Sequence, residues 1–147
     1  MTQKDKELLL KDLCSRLPYG VKMNHIADDE HSPKTLIGIA KDMITLEGLG
    51  GYECVDVEDY KPYLFPLSSM TEEMIEELNA YGFFKYRDTI TNVSHLISNN
   101  GINEEIYTYI DIECVLFLIE FFNSHHIDYR GLIPMGLAID ATGQNVY

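Results

Sequence analysis

The chain has 147 residues, 46% of them hydrophobic, with 11 Lys plus Arg against 24 Asp plus Glu and a formal net charge of -13. That length and apolar content suit one compact domain over residues 1–147 and exclude a disordered chain. A field of that sign repels phosphate backbones and anionic lipid, which argues against nucleic-acid and membrane partners. No run of Lys or Arg forms a local basic patch that would reverse this.

The opening is apolar only over Leu8-Leu9-Leu10 before Lys11 restores charge, too short for the core of a secretory signal. The most apolar stretch, Cys114 to Phe122, is broken by Glu120 and too short to span a bilayer. Cys14, Cys54 and Cys114 are far apart and odd in number, with no CxxC spacing. Reduced, buried thiols in a cytoplasm fit that pattern best.

Taken in chain order, the first element is a helix. Leu9, Leu13 and Leu17 make an apolar stripe with Leu10 and Cys14 beside it, and Lys6, Glu7, Lys11, Asp12 and Arg16 lie opposite. Thr2 caps its start, and Pro18 ends it by driving Leu17 towards an extended conformation. Val21, Met23 and His25 then alternate with Lys22 and Asn24 as a half-buried strand does. The polar run Asp28 to Pro33 reads as a loop, Thr35 to Ala40 and Met43 to Glu47 as strands, and Gly48-Leu49-Gly50-Gly51 as a turn. Alternation resumes from Tyr52 to Val57, so an antiparallel meander is expected.

Two prolines keep Lys61 to Leu67 extended. Ser69-Met70-Thr71-Glu72 has the spacing of a capping box, with Thr71 as the alternative cap. A second helix follows, with Met74, Ile75, Leu78 and Tyr81 as its stripe and Gly82 as its stop. Asn99-Asn100-Gly101 is a turn, and Ile106 to Ile110 suits a strand. A third helix, capped by Asp111 and running to about Ser124, is apolar nearly all round. Its narrow polar stripe is Glu113, Glu120 and Ser124, and such a helix is expected to pack centrally on the sheet. The tail from Ile127 is rich in turns, and Leu137 to Ile139 suits either a last strand or a helical turn. The expected fold is α+β: a small antiparallel sheet of about four strands packed against about three helices.

Three stretches are distinctive: Glu7 to Val21, Lys61 to Glu73, and Asp128 to Ala138. Together they resemble a group of short uncharacterised proteins carried by gut bacteria, their prophages and related mobile elements. The resemblance covers about a third of the chain and implies a cytoplasmic accessory role, with no activity, cofactor or catalytic residue to carry over.

The densest group of reactive side chains is His125-His126-Ile127-Asp128-Tyr129-Arg130, at the exit of the third helix. Imidazole and carboxylate suit a divalent metal, so His125, His126 and Asp128 are candidate ligands, completed by His25 or His31. The same residues with Arg130 are candidates for acid–base catalysis, a histidine being tuned by Asp128. Against both stands a structural role. Histidine cations complement a helix C-terminus, Asp128 makes a turn or accepts a bond from Arg130, and Gly131 permits a bend.

No complete cofactor signature is present, and none is expected. Gly48 to Gly51 lacks the Lys-Ser/Thr of a phosphate loop, and Asp56, Glu58 and Asp59 lack the spacing of a calcium loop. Glu113 and Glu120 stand about 10 Å apart along the helix, too far to share a proton. Tyr63, Phe65, Tyr129 and Arg130 are the candidate surface for a protein partner, with core packing the alternative for Tyr60, Tyr63 and Phe65. The function expected is a non-enzymatic accessory or interaction protein. A metal-dependent or acid–base enzyme is the first alternative, and an acidic mimic of DNA the second.

Overall fold

The structure is a computed structural model that describes residues 1–27, 32–85, 96–98 and 112–147. The expected loop at 28–31, turn at 99–101, strand at 106–110 and Asp111 cap lie outside them. The described chain is α+β and gathers into two compact units. One is Met1–Leu64 with Arg130–Tyr147, and the other is Phe65–Tyr129, inserted between them.

In the first unit, helix α1 (Gln3–Arg16) starts at a capping box, with the Thr2 and Asp5 side chains each bonding the other's backbone N–H. Its buried positions are Lys6, Leu9, Asp12, Leu13 and Arg16. The stripe is therefore rotated from the expected one. Cys14 is exposed, as is Cys54, so neither thiol is buried as expected. The rotation follows from pairing. Asp12 and Arg16 satisfy each other and can go inside, while Lys6 sits 3.2 Å from Glu58, 3.5 Å from Asp56 and 3.7 Å from Asp42.

Pro18 does not force Leu17 out of the helical region: Leu17 has φ -51 and ψ -42. The proline enters a short 3-10 turn, Leu17–Tyr19, near its start, where a missing N–H is harmless. The reversal comes at Gly20, whose φ of 66 is cheap only without a Cβ.

The sheet of this unit has six strands, more than the expected four or so. They are β1 (Lys22–His25), β2 (Lys34–Ala40), β3 (Met43–Gly48), β4 (Gly51–Asp56), β5 (Tyr60–Leu64) and β8 (Ile139–Asp140), in the order β4-β3-β2-β1-β5-β8. The first four form the expected meander. β5 returns to pair with β1, and β8 joins β5 in parallel.

That order constrains the shape of the sheet. β4 and β5 lie four strand positions apart, yet the 3-10 turn Val57–Asp59 alone joins them. Four interstrand steps of about 4.8 Å make roughly 19 Å. A three-residue link with its two joints reaches at most about 14 Å. The sheet must coil so that β4 comes back towards β5, and the Tyr60 hydroxyl indeed donates to Glu53 Oε1 at 3.0 Å. Lys34 reaches the same carboxylate from β2. Its stem lies over Gly48 of β3, where an added Cβ would stand 3.2 Å from Lys34 Cγ.

Leu9 and Leu13 of α1 close over the coiled sheet with Val21, Met23, Leu36, Ile44, Leu46, Tyr60 and Leu64. Leu132, Leu137 and Ala138 of the tail complete this core. The tail turns through Gly131 (φ 76) and Gly136 (φ 72) before β8. Leu137 and Ala138 lie in a bend after the turn at 132–136, and the last strand begins at Ile139. Tyr147 is 45% exposed, yet its hydroxyl donates to Tyr63 O at 2.7 Å and accepts from Lys22 N at 3.3 Å.

The second unit has its own core. Helix α2 (Glu72–Ala80) is capped by Thr71, which accepts from Met74 N, and Ser69 instead donates to Pro66 O. Gly82, at φ 84, ends the helix, and β6 (Phe83–Lys85) pairs with β7 (Leu96–Ser98). Helix α3 (Ile112–Ser124) joins Phe117, Leu118, Phe121 and Phe122 to Leu67, Ile75, Leu78, Phe83 and Ile127. Although α3 is apolar nearly all round, Ile112, Val115, Leu116 and Ile119 on it are exposed.

Replacing Tyr147 with Phe removes a donor and an acceptor, and is expected to lower stability by about 1 kcal/mol. Burial holds the phenol above its ordinary value of 10.0. A raised pKa gives stability that is full below that value and is lost as pH rises above it. Urea unfolding between about pH 8 and about pH 11 should show a smaller alkaline decline in the variant.

Candidate functional site

The polar run that follows α3 is positioned by the helix end itself. Ile127 N donates to Phe122 O at 2.8 Å and His126 N to Asn123 O at 3.2 Å. These two bonds close the helix in the manner of a Schellman motif, with His126 in the left-handed position usually held by glycine. Its φ is 55, and histidine is among the side chains that tolerate this region. His126 is therefore a helix terminator, a role that neither its charge nor its neighbours in sequence reveal.

His125 is spent on the same helix end. Its Nδ1 lies 3.0 Å from Phe121 O, and since a carbonyl only accepts, Nδ1 carries the proton. Its ring packs on that of Phe121 with centroids 4.3 Å apart, and Nε2 stands 3.8 Å from Glu77 Oε2 of α2.

The backbone around Asp128 does a second job. Phe65 N donates to His126 O at 2.9 Å, and Asp128 N donates to Phe65 O at 2.7 Å. A parallel bridge between Phe65 and Ile127 results, tying the two ends of the inserted unit together. Asp128 is buried at 6% exposure, and the Tyr129 ring stacks on Phe122 at 5.4 Å.

Arg130 belongs to a different constellation. Its Nε lies 3.2 Å from Asp12 Oδ1, a partner on α1 that the sequence reading did not include. Asp12 also accepts from Arg16, whose Nε reaches Oδ2 at 2.7 Å and whose terminal nitrogen reaches Oδ1 at 3.2 Å. Asp12 and Arg16 are fully buried and the Arg130 side chain is 22% exposed. One carboxylate thus serves two guanidiniums, a geometry suited to Arg forks. The spacing of Asp12 and Arg16, four apart with the acid first, was visible in the sequence. Nothing in the sequence pointed to Arg130 as their third member.

The candidate binding residues separate. Tyr63 is fully buried in the first unit, so its ring has no face for a partner, contrary to expectation. Phe65 and Tyr129 pack partly buried into the core of the second unit. His25 sits elsewhere, edge-on to Tyr60 at 5.1 Å, with Nδ1 accepting from Ala27 N. His31 lies outside the described residues. Among the described residues, no three His, Cys, Asp or Glu side chains come together to hold a metal ion.

One titratable group went unnoticed in the sequence. Lys34, Glu53 and Tyr60 converge beside a shallow depression of about 150 Å³ lined by Lys34 and residues 48–53. The Lys34 ammonium holds the Glu53 carboxyl below its ordinary range, against the effect of burial. The pair neutralises itself, which leaves the depression without net charge.

No family model, curated protein or solved structure matches the chain.

Asp12→Ala should cost about 3 kcal/mol or more, because it strands buried guanidinium. Arg130→Ala should cost about 1 kcal/mol, since Arg16 still answers Asp12. Urea unfolding of both variants checks the order. At the helix end, His126→Val should be less stable than His126→Gly by about 1–2 kcal/mol, because a β-branched side chain resists the left-handed region. Thermal unfolding compares the two.

Proposed function

We propose that this chain is a non-enzymatic accessory protein that works by binding another protein in a bacterial or mobile-element cytoplasm. One observation carries the reading: the side chains of His125 and Arg130 and the backbone of His126 and Asp128 are engaged in holding the chain. His125 is bonded and stacked on Phe121, and Arg130 is paired with Asp12. The backbone of His126 and Asp128 is committed to Phe65. A catalytic histidine needs a face open to substrate, and a metal ligand needs partners at matching distance.

The net charge of -13 supports a protein partner over nucleic acid. No helix among the described residues is long and apolar enough to cross a membrane. The resemblance to short proteins of gut bacteria and their prophages supports the setting.

Two measurements test this reading together. Protein purified without a histidine tag should carry no stoichiometric divalent metal. A tagged chain recovered from its native cells should bring down one protein in stoichiometric amount, and His125→Gln should leave that capture intact. Bound metal lost on His125→Gln, or a turnover abolished by it, would replace this reading with the metal or acid–base enzyme.

A further inference from the structure

We infer that the outer face of α3 is the docking surface, and that its partner is a basic amphipathic helix of another protein. This inference rests on the interaction role proposed above. Ile112, Val115, Leu116 and Ile119 fall at i, i+3, i+4 and i+7, the spacing of a single helix face. They are 72%, 38%, 55% and 36% exposed, while Phe121 and Phe122 on the same helix are buried in the core of the unit. Isolated exposed aliphatics are ordinary, but four in register along two turns form a ridge of the kind that helix-in-groove recognition uses.

The charge beside the ridge selects the partner. Glu113 and Glu120 are both exposed and run along one flank of this face, seven residues and so about two turns apart. A second copy of the chain is a poor occupant. An antiparallel pair of α3 helices would set Glu113 of one against Glu120 of the other, and a parallel pair would set like against like. Each copy also brings a net charge of -13. Like charges across an interface disfavour association, and opposite charges speed and orient it. A helix with an apolar stripe and Lys or Arg along its edge answers both the ridge and its acidic flank.

The experiment titrates the full chain into a fluorescent helical peptide with Leu at a and d positions and Lys along one flank. The control peptide carries Glu in place of each Lys. The Lys-flanked peptide should bind about tenfold or more tightly than the Glu-flanked one, and its affinity should fall with added salt. Leu116→Glu should weaken it by a further factor of about ten or more. Leu116 is largely exposed, so this variant should keep its circular dichroism and thermal midpoint. Glu120→Lys should reduce the preference between the two peptides.

Equal binding of the two peptides, or binding unchanged in Leu116→Glu, would overturn the inference. So would a dimer by light scattering that Leu116→Glu dissociates, or binding to neutral phosphatidylcholine vesicles that the same change abolishes. Failure here with a stoichiometric protein still captured from native cells would refute this surface and leave the interaction role standing. Failure of both would remove the role itself.

Discussion

The buried carboxylate of Asp12 is the constraint on which the first unit depends. An ionised group with no exposed surface is tolerable only where cations and hydrogen bonds replace its water. Arg16, one turn along α1, supplies two of those bonds, and Arg130 adds a third approach from the start of the tail. The pairing rotates α1 so that Asp12 and Arg16 face inward beside Leu9 and Leu13. It also fixes where the tail begins its path, ahead of Leu132, Leu137 and Ala138 entering the core. In proteins generally, hydrocarbon of the same size is often as stabilising as such a group or more so. The ionised group is directional where hydrocarbon is not, and so ties one point of the tail to one turn of the helix.

The second unit sets a different problem, that of an insertion whose two ends must meet. Phe65 leaves β5, and Ile127 to Tyr129 lead back towards the tail. The parallel bridge between Phe65 and Ile127 closes that gap with backbone bonds alone. The left-handed turn at His126 makes the closure feasible, since it ends α3 abruptly and aims the next residues along Phe65. The histidines and aspartate that look like an active site in one dimension are therefore the parts of a junction. The His125 side chain and the main chain of His126 and Asp128 are occupied by local geometry, which is why the proposed function looks to an exposed surface and away from this cluster.

Several features were legible from residue patterns because they depend on neighbours within a few positions. The Thr2 cap, the meander from β1 to β4, the Gly82 stop and the third helix all obey local rules of capping, alternation and helical period. The polar run after α3 was also correctly seen as a helix exit. Other readings failed where a local preference met a tertiary demand. Cys14 and Lys6 exchanged their expected exposures because ion pairs could accompany Lys6 and Asp12 inside. Tyr63 looked like part of an aromatic surface and proved to be fully buried.

By itself the sequence determined the α+β class, the net negative charge and most element boundaries, because each follows from side-chain periodicity, charge count or the special backbones of Gly and Pro. The three-dimensional fold alone decided that Arg130 would answer Asp12, that Lys34 would cross Gly48 to Glu53, and that β8 would add in parallel to β5. It alone decided which flank of α3 stays in water. Those contacts join residues far apart in the chain, and their energies depend on burial and distance, which no short window of residues contains.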